Sequence, residues 1–79
     1  MNHDEFVSMM VEVLEADPAE ITIEASLFDF PVYDSVCALT LMVRLEDDAK
    51  VTCSPNELAA LKTIGDVKAL LVRHGQLEA

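Results

Sequence analysis

The residues best placed to do chemistry in this sequence are Asp34-Ser35-Val36, an acid and a hydroxyl at the head of an apolar run that begins just after an aromatic-rich stretch. A side-chain oxygen there can cap a helix, and either Asp34 or Ser35 can serve. A serine hydroxyl can also be a nucleophile or an attachment point. Nothing supports the nucleophile: Ser35 lacks a GxSxG elbow, and no histidine is spaced to act as its base. His3 and His74 lie near the termini without HExxH or Cys-His spacing, so both read as surface residues rather than metal ligands. Glu46-Asp47-Asp48 lacks the alternation and central glycine of a calcium loop and reads as a solvated helix end. Cys37 and Cys53 form no CxxC pair and no disulfide framework. The two glycines, at 65 and 75, build no phosphate-cradling loop. Intrinsic catalysis and a metal centre are not expected.

The elements that position these residues follow from three prolines and the apolar periodicity. Asn2 and Glu5 make a capping-box pair for a helix running to about Ala16, with Asp17-Pro18 as its stop. Phe6, Met10, Val13 and Leu14 form its buried stripe, and Glu5, Ser8, Glu12 and Glu15 its solvated face. A long connector runs from Pro18 to Asp34. Its Ile21, Ile23, Leu27 and Phe28 are too apolar for a free linker, so it should lie across the bundle.

The second helix should run from Asp34-Ser35 to Asp48 or Ala49. It carries two apolar stripes, Val36-Leu39-Val43 and Ala38-Met42-Leu45-Ala49. This predicts a helix packed on two sides, with Cys37, Thr40, Arg44, Asp47 and Asp48 as its narrow polar strip. Ser54-Pro55-Asn56-Glu57 starts a short third helix ending near Leu61. Thr63 to Asp66 opens a fourth through Arg73, with Val67, Leu70 and Leu71 inside and Gly75 as its stop. The prediction is an all-α fold, one domain over 1–79: a small four-helix bundle with a long first loop and a short third helix.

The 79 residues carry 15 acids against 5 bases, a net charge of −10. Residues 1–34 hold nine of the acids and no Lys or Arg. Nucleic acid and anionic membrane surfaces are therefore excluded as partners, because like charges repel. The 52% hydrophobic content argues for a folded domain, not an acidic disordered tail. No signal peptide or spanning segment is legible, since the stretch from Val36 to Val43 is too short to cross a bilayer. A reduced, cytoplasmic setting and a monomer are the expectations.

The chain resembles the acyl carrier protein family, the small four-helix carriers of a 4′-phosphopantetheine arm. Asp34-Ser35-Val36 is similar to the family's Asp-Ser-Leu, and Leu39 through Leu45-Glu46-Asp47-Asp48 to its acidic-ended second helix. Ser26-Leu27-Phe28 fits the loop, Thr63-Ile64-Gly65-Asp66-Val67 fits the start of the last helix, and the serine-to-Thr-Ile spacing also agrees. The resemblance implies that Ser35, flanked by Asp34 and Val36, accepts 4′-phosphopantetheine from coenzyme A through a phosphopantetheinyl transferase. A helix N-terminus suits the resulting phosphodiester. The arm's thiol would hold an acyl or aminoacyl group for loading and condensing enzymes of a fatty-acid, polyketide or related pathway. Cys37, Thr40, Arg44, Asp47 and Asp48 would dock those enzymes. Met42 and Leu45, facing Leu58 and Leu61, would shelter an acyl chain or simply be core.

Two departures stand out. Phe30-Pro31-Val32-Tyr33 replaces the Leu-Gly that usually precedes Asp-Ser. The first part of the second-helix strip is Cys37, Thr40 and Arg44, where carriers for fatty acid synthesis usually have acids. These departures imply a specialised discrete carrier with dedicated enzymes. The alternatives are a peptidyl or aminoacyl carrier of a nonribosomal pathway, and an acidic helical interaction module without an arm.

Overall fold

The computed structural model describes residues 1–78, in which four α-helices follow one another in the expected order. Helix α1 spans His3–Leu14, α2 Ser35–Ala49, α3 Pro55–Ala60 and α4 Ile64–Arg73. Each begins where a local cap dictates. Asn2 Oδ1 accepts the Glu5 N–H at 2.8 Å while Glu5 returns a carboxylate to the Asn2 N–H. The same reciprocal box is built by Ser54 with Glu57 and by Thr63 with Asp66. Helix α1 stops earlier than Asp17-Pro18 predicts. Glu15 already turns left-handed, at φ 51°, and Ala16 N–H closes onto Val11 O at 3.2 Å. Gly75, at φ 71°, ends α4 as expected.

The core draws on α1, α2 and α4, on Leu27 and Phe30 of the loop, and on Val51, Cys53, Leu61 and Leu77 between and beyond the helices. Phe6, Met9, Met10, Val13 and Leu14 come from α1. Cys37, Leu41, Leu45 and Ala49 come from α2, and Ile64, Val67, Leu70 and Leu71 from α4. Helix α3 buries none of its own residues, and the chain is anchored just beyond it by Leu61. Its main apolar contact with the core is the half-buried Leu58, so α3 has less packing to resist local opening than the other three helices.

The long connector is stitched to the start of α4 rather than draped freely. Leu27 N–H donates to Lys62 O at 2.9 Å, Ile64 N–H to Ala25 O at 3.0 Å, and Gly65 N–H to Ile23 O at 3.0 Å. Short 3₁₀ turns at Pro18–Glu20 and Leu27–Asp29 fold the rest. Leu27 and Phe30 are buried, while Ile23 and Phe28 face solvent, so only part of the loop's apolar content packs on the bundle. That arrangement puts Phe28 and Tyr33 beside the start of α2, their rings edge to face with centroids 5.6 Å apart.

The helical phase of α2 differs from the expected one. At about 100° per residue, Leu41 and Leu45 mark its buried face. Val36, Val43 and Asp47 then fall within about 40° of one another on the far side. Accordingly Val36 is 71%, Leu39 52% and Val43 53% exposed. One of the two apolar stripes packs, and the other lies open to solvent.

Candidate functional site

Asp34 is the residue that caps α2. Its backbone is extended, and its Oδ1 accepts the Cys37 N–H at 2.8 Å. Its carbonyl accepts the Ala38 N–H at 2.9 Å as the first bond of the helix. Ser35 is thereby relieved of capping: it is the first helical residue and exposed. The N–H groups of Ser35 and Val36 precede the helix's internal bonding and are available to an anion.

The other three serines lack this freedom or this position. Ser26 Oγ accepts the Phe28 N–H and Ser54 Oγ the Glu57 N–H, each at 3.2 Å. Ser8 lies within α1, where the backbone N–H groups are taken by the helix.

Beside Ser35 opens a cavity of about 540 Å³ between the loop, α2 and α3. Phe28, Tyr33, Ala38, Leu39, Leu58 and Leu61 supply most of its apolar wall, and Asp34 and Ser35 stand on its rim. Burial raises the Tyr33 phenol above its usual pKa, so it stays neutral. The cavity is reached from the sequence only in part. Leu58 and Leu61 line it as expected, but Met42 and Leu45 do not. Leu45 is fully buried within the core cluster, and Met42 packs half-buried against it. Phe28, Tyr33 and Leu39 were not identified from the sequence. The crowding of three aromatics just before Ser35 was the available signal.

The expected docking strip is also redrawn. Cys37 is not exposed: it is 8% accessible, and its thiol donates to Val13 O of α1 at 3.4 Å. Burial, then the nearby Asp34 charge, raises its pKa, which keeps it an inert thiol. Arg44 is half-buried and engaged within the molecule. Its Nη1 lies 3.1 Å from Glu12 Oε2, and its Nε donates to Asp48 Oδ2 at 2.8 Å. Thr40 and Asp47 do face solvent, although the Thr40 hydroxyl bonds back to Val36 O at 3.1 Å.

An attached phosphopantetheine needs a reachable hydroxyl, a place for its phosphate charge and somewhere apolar for its cargo. The exposed Ser35, the open first turn of α2 and the adjoining cavity fit all three. Among the described residues no helix is long and apolar enough to cross a membrane.

Comparison with known proteins agrees with this fit. Residues 4–71 match the family model described as "Phosphopantetheine attachment site". The chain is 32% identical over 75 residues to the meromycolate extension acyl carrier protein of Mycobacterium tuberculosis, covering 90% of this chain and 65% of that one. It therefore spans a little under two thirds of the length of that mycobacterial relative. It is 35% identical to acyl carrier protein 2 of Ralstonia nicotianae, over 76% of this chain and 74% of the relative. With the acyl carrier protein of Rhodococcus erythropolis it shares 31% identity over 85% and 74% of the two chains. The chain belongs to the phosphopantetheine-bearing acyl carrier protein family.

Proposed function

We propose that this protein is a non-catalytic carrier whose Ser35 hydroxyl receives 4′-phosphopantetheine from coenzyme A, in a transfer catalysed by a phosphopantetheinyl transferase. The single observation that carries the assignment is that Asp34 takes the cap of α2 and leaves Ser35 exposed and unengaged on the rim of the cavity. Once bound, the group supplies a thiol on a long flexible arm, which holds cargo as a thioester. The chain's own residues do the remaining work. Asp34 fixes the helix start, the first-turn N–H groups face the phosphate charge, and the cavity walls exclude water from an apolar chain.

The cargo that suits those walls is an acyl group. Leu39, Leu58 and Leu61 with the Phe28–Tyr33 pair offer carbon surface and few polar groups, which an aminoacyl group would require. Two of the relatives compared are named simply as acyl carrier proteins and one for meromycolate extension, which supports a role in fatty-acid or related lipid synthesis. Partners are then the transferase and the acyl-loading and condensing enzymes, met by a monomer in the cytoplasm. The missing acids on the first three turns of α2 favour a specialised enzyme set.

The test is to incubate the protein with coenzyme A and a broad-specificity phosphopantetheinyl transferase and weigh it. The expected result is a gain of one phosphopantetheine that is lost in Ser35→Ala. A wild-type protein that gains nothing is instead an arm-less interaction module.

A further inference from the structure

Tyr33 brings a hydroxyl to a wall that is otherwise carbon. Apart from Asp34 and Ser35 on the rim, it has the only polar side chain among the described residues that line the cavity. That hydroxyl makes no hydrogen bond with the described residues. No buried polar side-chain atom among them lacks a partner, so the half-buried Tyr33 keeps its unpaired hydroxyl accessible to a ligand. The ring itself is held in place. Phe28 meets it edge to face with centroids 5.6 Å apart, and it packs against the core cluster. Burial keeps the phenol protonated, so it stands ready both to donate and to accept.

This hydroxyl makes the cavity selective. An all-carbon chain drawn inside strips water from it and returns no partner, which leaves a buried polar group unpaired. A chain that carries an oxygen at the right depth repairs that loss. Sites built around a hydrogen-bonding group discriminate most strongly against the analogue that lacks its partner. Tyr33 directly precedes the rim residue Asp34, so the matching oxygen lies near the thioester end of the cargo. The thioester is tied to the arm at the mouth, and the first oxygen inside it is one on the β-carbon.

We propose that Tyr33 is a specificity-determining residue for the cargo, pairing its hydroxyl with an oxygen on the β-carbon, so that the cavity shelters β-hydroxyacyl chains in preference to saturated ones. This rests on the carrier reading above and adds to it the class of cargo.

The experiment loads wild type and Tyr33→Phe from hexanoyl- and β-hydroxyhexanoyl-coenzyme A with a broad-specificity transferase. Hydroxylamine then attacks each thioester, and mass follows the loss of cargo. Protection is the rate for the matching free coenzyme A thioester divided by the rate on the protein. Wild type should protect the β-hydroxyhexanoyl group at least about threefold better than the hexanoyl group. In Tyr33→Phe that protection should fall about five- to tenfold while hexanoyl protection holds or rises, which reverses the order. A ring that only fills space would move both cargoes together, and the unloaded variant should keep the wild-type Tm.

A wild type that protects the hexanoyl group equally or better overturns the proposal. So does an equal loss for both cargoes in Tyr33→Phe, which would assign the phenol to the thioester carbonyl that every cargo shares. Protection absent from both cargoes overturns it as well. In each of these cases the arm on Ser35 leaves the carrier reading standing, whereas a wild-type protein that never gains an arm removes both.

Discussion

Asp34 and Ser35 are adjacent, and the structure divides two duties between them. Asp34 Oδ1 holds the Cys37 N–H at 2.8 Å, closing the N-terminus of α2, while Ser35 stands exposed one residue later on the cavity rim. The cap keeps the helix start in place whether or not the serine carries a group. Asp34→Ala should therefore cost about 1 kcal/mol in urea denaturation, the usual value of an N-cap, and Asp34→Asn much less. Ser35→Ala should change stability by less than about 0.5 kcal/mol, as for an exposed residue outside any network.

Cys37 and Thr40 can be separated by a single charged substitution. The family pattern suggests acids at both positions, but Cys37 is buried against Val13 and Thr40 is exposed. Cys37→Glu should destabilise the fold by roughly 3 kcal/mol or more, because it forces a larger, charged side chain into a buried site that faces the Val13 carbonyl. Thr40→Glu should stay within about 0.5 kcal/mol of wild type. The native Cys37 thiol should also react slowly with a thiol reagent until denaturant is added.

Gly65 is required by the loop. A Cβ at this position would lie 2.6 Å from Ile23 Cγ2 and 2.9 Å from Ile23 O. Gly65→Ala should cost about 1–3 kcal/mol, as overpacking does. Adding Ile23→Ala should recover only part of that, since the carbonyl contact remains. Thermal denaturation of the single and double variants checks both statements.

Asp66 gives the start of α4 a dependence on pH. Its Oδ2 accepts the N–H groups of Lys62 and Thr63 at 3.0 and 3.1 Å, and these bonds hold its carboxyl below the usual 3.8. A carboxyl depressed in the folded state contributes its full stabilisation above the unfolded pKa. That contribution is lost as pH falls from about 3.8 through the lowered value. Asp66→Asn should thus have a lower urea midpoint than wild type at pH 7, and the gap should close in acid below pH 3.8. A gap independent of pH would mean that the charge is not what matters.

The caps were legible because they are local. Asn2 with Glu5, Ser54 with Glu57 and Thr63 with Asp66 each need only four consecutive residues, so the starts of α1, α3 and α4 could be read directly. The phase of α2 could not. Val36-Leu39-Val43 and the opposite stripe have the same period, and periodicity does not say which of two apolar faces is inside. The packed fold decides it by burying Leu41 and Leu45, which carries Cys37 into the core and leaves Val43 out. The cavity was hidden for a related reason. Its wall joins Phe28, Leu39 and Leu58 from three separate segments, and only the loop's bonds to Lys62 and the start of α4 bring the first of these to the others.

Fragmentation of the transferase-modified protein in a mass spectrometer locates the attachment residue directly. The sequence holds four serines, so the position of the added mass is decisive. The expected result is one phosphopantetheine on Ser35 and none on Ser8, Ser26 or Ser54. A modification on any of those three, or one that persists in Ser35→Ala, would contradict it.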